Sequence, residues 1–373
     1  MAESIGQDEN VWSDEWDQLT PESEIRMWDF YGLRHWIAKF IPRKGKTIEA
    51  GCGLGRYVFY FSEMGINIEG VDFSQPTIDY LNEWKLKNRY DAVFKKGNIL
   101  NLEYPDNSLS GYISLGVIEH FIEGPQNALA EAYRVLRPGG IAIISTPSVS
   151  FYILYQKIRK KVKNIVKRTL FRKVITEKFY QYWYRPGKLK KFIEGSGLHI
   201  TRYGSADLLF AFCEAGNYTE KYIKEGTFGY KFSNKHENGI LNFIGAQSIT
   251  VSVKAAEKMF CFFCGELKSN QESLSRFDVP VCSECECRDE SKYYKKDSVA
   301  RYCAPYIINP PVKKGEKFIC NFCGKDSESS DIFEDYGFEK KVCSACLKIP
   351  EINIKLSNES VKPVWRKRME RNA

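Results

Sequence analysis

A glycine-rich turn early in the chain could hold an anionic group of a ligand. Gly51, Gly53 and Gly55 occupy alternate positions directly after the predicted strand Thr47–Ala50. Glycine permits positive φ and a close approach of the backbone to a ligand, and the free N–H groups at the start of a following helix attract an anion. Arg56 stands where the G-x-G-x-x-G loop of dinucleotide-binding proteins has its third glycine. The spacing therefore argues against a nicotinamide-dependent dehydrogenase.

A carboxylate further along the chain could complete this site. Asp72 lies at the end of the predicted second strand, and Asn98 and Ile99 follow the predicted third strand. Parallel strands bring their carboxyl ends to one edge of the sheet, where open α/β sheets bind ligands. A carboxylate at that edge can accept hydrogen bonds from ribose hydroxyls. We therefore expect Asp72 to face a ribose-bearing ligand beside the glycine turn.

Two neighbouring residues after the predicted fourth strand could move a proton. His120 has a reference pKa of about 6.5, which suits a general base near neutral pH. Glu119 could orient that imidazole or bind a metal ion. A further hypothesis is that the pair only packs against the adjoining loop and caps it. The residues alone leave these hypotheses open, and His120 as base is preferred.

The cysteines are clustered in a way that favours metal binding over disulfides. Ten of the twelve lie between Cys261 and Cys346, eight of them in four C-x2-C pairs. The pairs form two sets, with 17 and 19 residues between pairs, and each set could bind a tetrahedral zinc ion. Few apolar residues separate the pairs, so we expect metal binding to fold each unit. Cys287 and Cys303 are left over, and Cys287 could compete with Cys285 as a ligand. The predicted zinc ligands are Cys261, Cys264, Cys282, Cys285, Cys320, Cys323, Cys343 and Cys346.

Alternating strand-like and helical segments must position these residues. A return hairpin would complete a sheet of seven strands, and the alternation is typical of βαβ units. The predicted fold class is α/β, with a Rossmann-like seven-stranded sheet and helices on both faces. Strands are predicted at 47–51, 67–72, 92–97, 111–116 and 140–146, the hairpin near 198–210 and 245–254, and helices near 55–64, 74–88 and 125–136.

In order and spacing, these segments resemble the class I S-adenosylmethionine-dependent methyltransferases, in particular the group with the ubiquinone- and menaquinone-pathway enzymes. The matching segments are Glu49–Gly55, Val71–Ser74, Gly97–Ile99, Tyr112–His120 and Ala130–Gly140. The resemblance implies that the glycine turn holds the methionine part of the cofactor. It also implies that the acid after the second strand holds the ribose and that the residues after the third strand hold adenine. The implied cofactor-binding residues are Glu49, Gly51, Gly53, Gly55, Asp72, Phe73, Asn98, Ile99 and Leu115.

Two positions depart from the pattern of this family. Asn98 stands where the family usually has aspartate, although its amide retains an acceptor and donors for adenine. Some relatives bind a divalent cation through an E-x-x-E-H motif, and Gly116 replaces the first glutamate here. The replacement favours a base over a metal site. The implied catalytic residues are therefore His120 and Glu119.

Composition divides the chain into four predicted parts. Residues 1–46 form an acidic, aromatic segment with helical character, and residues 47–256 form the methyltransferase domain with a basic helical insertion at about 150–185. Residues 257–310 contain the first zinc module and a linker, and residues 311–373 contain the second module and a basic tail. Acidic residues are prominent in both modules, which favours a protein partner or a scaffolding role over RNA binding.

The basic insertion suggests an anionic partner. Residues 151–195 contain fourteen Lys and Arg against Glu177 and Glu194, whereas the whole chain has a net charge of +8. A basic amphipathic helix suits an anionic membrane surface or a phosphate-bearing substrate, and equally an RNA backbone. The alternative is a solvated helix that covers the acceptor pocket. The residues that would then line this pocket are Tyr182, Trp183, Tyr184 and Arg185.

The expected function is methylation of a small-molecule or carrier-linked acceptor, a saccharide or a lipid, on oxygen. The expected cofactors are S-adenosylmethionine and two zinc ions. The alternatives are an RNA methyltransferase that uses the basic insertion, and a non-catalytic zinc-ribbon interaction protein. The chain opens without a basic-then-apolar signal, and no apolar run approaches the roughly 20 residues that span a bilayer. We therefore expect a cytoplasmic protein, with membrane contact at most peripheral.

Overall fold

The computed structural model describes residues 20–21, 24, 33–63, 65–148, 181–207, 246–270, 272–288, 291 and 294–296, and the backbone of short strands between 318 and 343. The predicted segment 1–46 is therefore described only in part. Most of the basic insertion, the side chains of the second cysteine set and the basic tail lie outside the described residues.

One seven-stranded sheet organises the described chain. Its strands are β1 (Thr47–Ala50), β2 (Ile68–Asp72), β3 (Val93–Lys96), β4 (Leu109–Leu115), β5 (Leu136–Pro147), β6 (His199–Ala206) and β7 (Gln247–Val253). Their order is β3-β2-β1-β4-β5-β7-β6; the first five strands pair in parallel, and β7 is antiparallel to β5 and β6. The predicted α/β class and seven-stranded sheet are confirmed. The strand order reverses beside β1, which opens a crevice at the carboxyl ends of β1 and β4.

The helices of the sheet domain lie before, between and after the parallel strands, and one of them begins at a side-chain cap. They are α1 (Leu33–Phe40), α2 (Arg56–Glu63), α3 (Gln75–Asn88), a 3-10 helix at Ile118–His120, α4 (Gln126–Val135) and α5 (Pro186–Gly195). The N-cap of α3 is Ser74, whose Oγ accepts a hydrogen bond from the N–H of Thr77 at 3.3 Å. The helix ends at Arg89, which has the left-handed conformation common at C-termini.

Strand β5 begins earlier than predicted. The prediction placed its start at residue 140, after a Pro-Gly-Gly break, but Leu136 already pairs with Leu109. The next pair joins Gly111 and Ile141, so the intervening residues of β5 bulge out of register. Gly139, with a φ of 78°, donates its N–H to the carbonyl of Lys254 at 2.8 Å. The break is thus a bulge inside the strand rather than its boundary.

The two faces of the sheet bury separate apolar clusters. Alternate residues of one strand point to opposite faces, so Ile143 belongs to one cluster and Ile144 to the other. The first cluster packs the sheet against α1 and α2, with Phe59 and Phe61 fully buried. The second packs the sheet against α4 and α5, where Leu129 is 1% exposed. The site-bearing edge is therefore supported from both sides.

Residues 257–296, hereafter the cysteine unit, share the first apolar cluster. The unit contains β8 (Lys258–Phe260), β9 (Leu267–Asn270), α6 (Ser273–Arg276) and α7 (Ser283–Glu286). Phe262, Phe277 and Val279 are buried in the same cluster as Trp36 and Phe40 of α1. The apolar residues of this unit therefore share a core with the large sheet domain, and the expected role of metal binding in folding the unit stays a prediction.

The C-terminal part of the chain contains two short antiparallel pairs. They are β10 (Phe318–Ile319) with β11 (Asp326–Ser327), and β12 (Ser330–Asp335) with β13 (Phe338–Cys343). Among the helices that the structure describes, none combines the length and the apolar character needed to span a bilayer.

Replacing Gly139 with alanine tests the contact between the sheet and the cysteine unit. A Cβ there would lie 2.7 Å from the carbonyl oxygen of Phe260. Gly65 also has a positive φ, of 76°, but a Cβ there meets nothing within 4 Å. We expect Gly65→Ala to lower the free energy of unfolding by about 1–2 kcal/mol through backbone strain alone. Gly139→Ala should lower the free energy of unfolding by roughly 1–3 kcal/mol more than Gly65→Ala, because its Cβ would also clash with the Phe260 carbonyl. Equal losses in urea unfolding would contradict a close backbone contact at Phe260.

Candidate functional site

A cavity of about 520 Å³ lies at the carboxyl ends of β1, β2, β4 and β5, within the size range of small-molecule sites. All residues that the sequence suggested for cofactor binding and catalysis contribute to its lining. They are Glu49, Gly51, Gly53, Gly55, Asp72, Phe73, Asn98, Ile99, Leu115, Glu119 and His120. The structure thus brings these residues together around one cavity, and their roles stay predictions.

The glycine turn is held against β2 by backbone hydrogen bonds. The N–H groups of Gly51 and Cys52 both donate to the carbonyl of Val71, at 2.7 and 3.1 Å. Gly51 has a φ of 78°, and a Cβ at this position would lie 2.5 Å from the side chain of Val117. A Cβ on Gly55 would lie 2.5 Å from the ring of Phe94. Both positions therefore require glycine, which keeps the turn flat against the cavity.

Asp72 joins the end of β2 to this turn. Its Oδ2 accepts a hydrogen bond from the N–H of Gly53 at 2.9 Å, and its Oδ1 accepts one from the N–H of Ser74 at 3.1 Å. Burial raises the pKa of Asp72, although hydrogen bonds from the backbone of Ser74, Gly53 and Phe73 oppose the rise. Each carboxylate oxygen can accept a second hydrogen bond. The group is therefore fixed in place and can still accept hydroxyl donors from the cavity.

A second carboxyl group, Glu49, lies at the end of β1 beneath the turn. The side chain is 4% exposed, and its Oε2 has no hydrogen-bond partner in the structure. Burial raises the pKa of Glu49 well above its ordinary value; a backbone hydrogen bond from Val58 opposes the rise, and the nearby Asp72 adds to it. A buried acceptor of this kind can bind a donor group of a ligand in the cavity.

The loop after β3 offers one apolar and one polar side chain. Ile99 is 6% exposed and lines the cavity. The Oδ1 of Asn98 accepts a hydrogen bond from the N–H of Leu100 at 2.9 Å, so this oxygen stabilises the loop itself. The amide nitrogen of Asn98 is the atom better suited to a ligand acceptor. The departure from aspartate therefore leaves a donor at this edge.

Glu119 and His120 reach the cavity from the short 3-10 helix after β4. Glu119 is fully buried, and neither of its carboxyl oxygens has a hydrogen-bond partner in the structure. Burial raises the pKa of Glu119 to about 8. His120 is 5% exposed, and its backbone N–H donates to the carbonyl of Val117 at 3.1 Å. At neutral pH the glutamate is therefore a neutral acid that can both donate and accept.

The structure brings the first cysteine set together in one cluster. The sulfur atoms of Cys261, Cys264, Cys282 and Cys285 all lie within 4.8 Å of one another. The distance from Cys264 Sγ to Cys282 Sγ is 3.8 Å, and Cys287 lies outside the cluster with an exposed side chain. Four thiols at this separation can surround one tetrahedral metal ion.

Comparison with known proteins assigns the domain around the cavity. Residues 48–144 match a family model described as a methyltransferase domain. This part of the chain is therefore similar to a methyltransferase domain. The matched range includes the glycine turn, Asp72, Asn98 and the pair Glu119–His120. It ends inside β5, so the family match does not extend to the cysteine unit.

Three curated relatives support this assignment over about a hundred residues each. A Mycolicibacterium smegmatis protein, named a probable S-adenosylmethionine-dependent methyltransferase, is 33% identical over 27% of this chain and 38% of its own length. The malonyl-[acyl-carrier protein] O-methyltransferase of Pectobacterium atrosepticum is 31% identical over 27% of this chain and 38% of its own length. The ubiquinone biosynthesis O-methyltransferase of Rickettsia bellii is 32% identical over 27% of this chain and 41% of its own length. The chain therefore spans about two fifths of the length of these relatives.

Several described residues line the cavity although the sequence did not predict them. Ser145 at the end of β5 is fully buried, and its Oγ has no hydrogen-bond partner in the structure. The sheet-edge argument that found Asp72 could also have found Ser145, because β5 ends at the same edge. Leu33, Asp207 and Gln247 also line the cavity. They come from α1 and the antiparallel strands, where no local pattern marks them.

Tyr182, Trp183, Tyr184 and Arg185 are not among the described residues that line this cavity, and their place in an acceptor pocket stays a prediction. Gln181, at the start of this aromatic segment before α5 as the structure describes it, does line the cavity. The hydroxyl of Tyr182 donates to the carbonyl of Ile122 at 2.8 Å, and Tyr184 packs its ring on that of Phe192 at 5.4 Å. Tyr184 therefore anchors the segment in the second apolar cluster, and Tyr182 anchors it through its hydrogen bond.

Replacing Glu119 with glutamine tests its buried, protonated state. Between pH 4.5 and about 8 the folded state keeps the proton that the unfolded state loses, so stability falls as pH rises. Glutamine does not titrate. We therefore expect the free energy of unfolding of the wild type to fall by roughly 2–3 kcal/mol relative to Glu119→Gln between pH 5.5 and 7.5. Urea unfolding at both pH values measures this difference. A constant difference would mean that Glu119 titrates normally.

Proposed function

We propose that this chain is an S-adenosylmethionine-dependent methyltransferase that acts on a small-molecule or carrier-linked acceptor, a saccharide or a lipid, on oxygen. The observation that carries the proposal is the Asp72 carboxylate, fixed by the N–H of Gly53 beside the glycine turn and facing the cavity. A carboxylate in this position suits the two hydroxyls of a ribose.

The chemistry of the remaining lining residues fits the cofactor. The glycine turn lines the cavity through Gly51, Gly53 and Gly55, where the backbone carries no side chain that could keep a ligand away. The unpartnered Oε2 of Glu49 can accept hydrogen bonds from the ammonium group of the methionine part. Ile99 and Phe73 provide apolar surface for adenine, and the amide nitrogen of Asn98 provides a donor.

The residues of the chain would mainly align the reactants. S-adenosylmethionine supplies an electrophilic methyl group bound to a sulfonium sulfur, and the neutral thioether that remains is a good leaving group. Proximity and orientation alone can provide roughly 7–11 kcal/mol of the barrier reduction. For a hydroxyl acceptor, the imidazole of His120 would take the proton, and the neutral carboxyl of Glu119 would orient the acceptor or the imidazole. The names of two relatives, both O-methyltransferases, support oxygen as the acceptor atom.

We further propose that each set of four cysteines binds a structural zinc ion. The cluster of Cys261, Cys264, Cys282 and Cys285 supports the first site, because four thiols around one point form a closed tetrahedral site. The second site rests on the spacing of Cys320, Cys323, Cys343 and Cys346 alone. The division at 1–46, 47–256, 257–310 and 311–373, the protein partner of the modules and the peripheral membrane contact are likewise proposals from the sequence.

Replacing Asp72 with alanine tests cofactor binding. Removing hydrogen bonds to a charged group costs about 1.5–3 kcal/mol, so the Kd for S-adenosylmethionine should rise roughly 10- to 100-fold. Isothermal titration calorimetry measures the change. Asp79→Ala is the matched control, because Asp79 is an exposed acid on the helix that follows. A Kd for Asp72→Ala equal to that of the control would remove Asp72 from the cofactor site.

Replacing His120 with alanine separates catalysis from cofactor binding. Loss of a general base lowers the rate by about 10²- to 10⁴-fold, whereas affinity for S-adenosylmethionine should stay nearly constant. Release of S-adenosylhomocysteine, measured with a panel of hydroxylated sugars and lipids, gives the rate. Glu123→Ala, an exposed neighbour, is the control. Unchanged turnover would exclude His120 as the base.

A further inference from the structure

Helix α1 forms part of the wall of the cofactor cavity. Leu33 at its N-terminal end lines the cavity. The backbone N–H of Leu33 donates to Oδ1 of Asp207 at 3.1 Å, and Asp207 is itself 1% exposed and lines the cavity. A shift of α1 would therefore move two lining residues at once.

The C-terminal end of the same helix is held by the cysteine unit. The hydroxyl of Tyr294 donates to the carbonyl of Lys39 at 2.8 Å, and the ring of Tyr294 packs edge-on against Phe40 at 6.1 Å. Because α1 ends at Phe40, the carbonyl of Lys39 is among those that lack a partner within the helix. Tyr294 thus supplies a hydrogen bond that the helix cannot make by itself.

The cysteine cluster fixes the position of Tyr294. Phe262 and Phe263 lie between the first two cysteines of the cluster, and their rings contact the ring of Tyr294 at 5.2 and 5.5 Å between centroids. A metal ion that binds Cys261 and Cys264 would hold this short aromatic loop rigidly. The chain of contacts runs from the cluster through the two phenylalanines to Tyr294 and α1.

A second, independent contact joins the unit to α1. Arg202 on β6 forms an ion pair with Asp278 at 2.9 Å, and its guanidinium lies 5.8 Å from the ring centre of Trp36 on α1. Asp278 is 2% exposed at its side chain, and its N–H donates to the carbonyl of Tyr294 at 2.8 Å. Tyr294 and Asp278 are therefore held together; Tyr294 contacts α1 directly, and Asp278 is linked to it through Arg202.

We propose that the cysteine unit positions the wall of the cofactor cavity through α1, with Tyr294 as the positioning residue, so that metal occupancy at the first cysteine set is coupled to cofactor affinity. This inference rests on the proposed function. Tyr294 is not among the described residues that line the cavity, and it acts through Lys39 and Phe40. Metal removal would then weaken cofactor binding by displacing Leu33 and Asp207, without substitution of any lining residue.

The test compares full-length variants by zinc content, by the Kd for S-adenosylhomocysteine and by amide hydrogen exchange over residues 33–40. Cys264→Ser removes one ligand of the first set, and Cys287→Ser, an exposed thiol of the same unit outside the cluster, is its control. Tyr294→Phe keeps the ring and removes only the hydrogen bond to Lys39. Measurements are made well below the unfolding temperature of each variant, so that loss of overall stability does not change the Kd of the folded protein.

Cys264→Ser should contain one zinc ion fewer than the wild type and bind S-adenosylhomocysteine at least about tenfold more weakly, with faster exchange in α1. Tyr294→Phe should keep its zinc, bind several-fold more weakly and show the same faster exchange. A Kd equal to that of the wild type in both variants would overturn the proposal. If Cys264→Ser fails to fold, Tyr294→Phe alone decides. If the wild type does not bind S-adenosylhomocysteine, the proposed function fails, and exchange in α1 then decides the coupling by itself.

Discussion

The hydrogen bond from the N–H of Gly53 to the carboxylate of Asp72 links the two elements from which the cavity is built. It joins the turn after β1 to the end of β2 at a distance of 2.9 Å. A positive φ at Gly53 directs this N–H toward the carboxylate, and the neighbouring N–H of Gly51 binds Val71 in β2. Burial raises the pKa of Asp72, and the hydrogen bonds from the N–H groups of Gly53 and Ser74 oppose that rise by stabilising the carboxylate. Ribose hydroxyls would add further donors to the same group.

The sequence was informative where chemistry and local spacing coincide. The glycines at alternate positions, Asp72 at a strand end and the pair Glu119–His120 could be identified because each directly follows a predicted parallel strand. The parallel order then brought them to one edge, as the family pattern implied. The limits of β5 were harder to predict, because Gly139 lies in a bulge whose hydrogen bond to Lys254 comes from a distant strand. A local sequence pattern cannot predict a hydrogen-bond partner that is more than one hundred residues away.

The remaining cavity residues were not predicted for the same reason, because they depend on partners that are distant in the sequence. Gln247 reaches the site because Pro147 and Ala206 both pair with it across antiparallel strands. Asp207 follows one of those strands, and its carboxylate binds the N-terminal end of α1. The cysteine set was predicted as a cluster, but Phe262 and Phe263 gave no sign of the surface they bury. Their contact with Tyr294 and α1 appears only when the whole chain is folded, which is why a self-contained metal-folded module was expected.

The most direct test of this account is a crystal structure of the full chain with S-adenosylhomocysteine. We expect both ribose hydroxyls to lie within hydrogen-bond distance of the Asp72 carboxylate, with the homocysteine part over the glycine turn and adenine beside Ile99. A ligand bound elsewhere, or an Asp72 side chain turned away from the ribose, would contradict it.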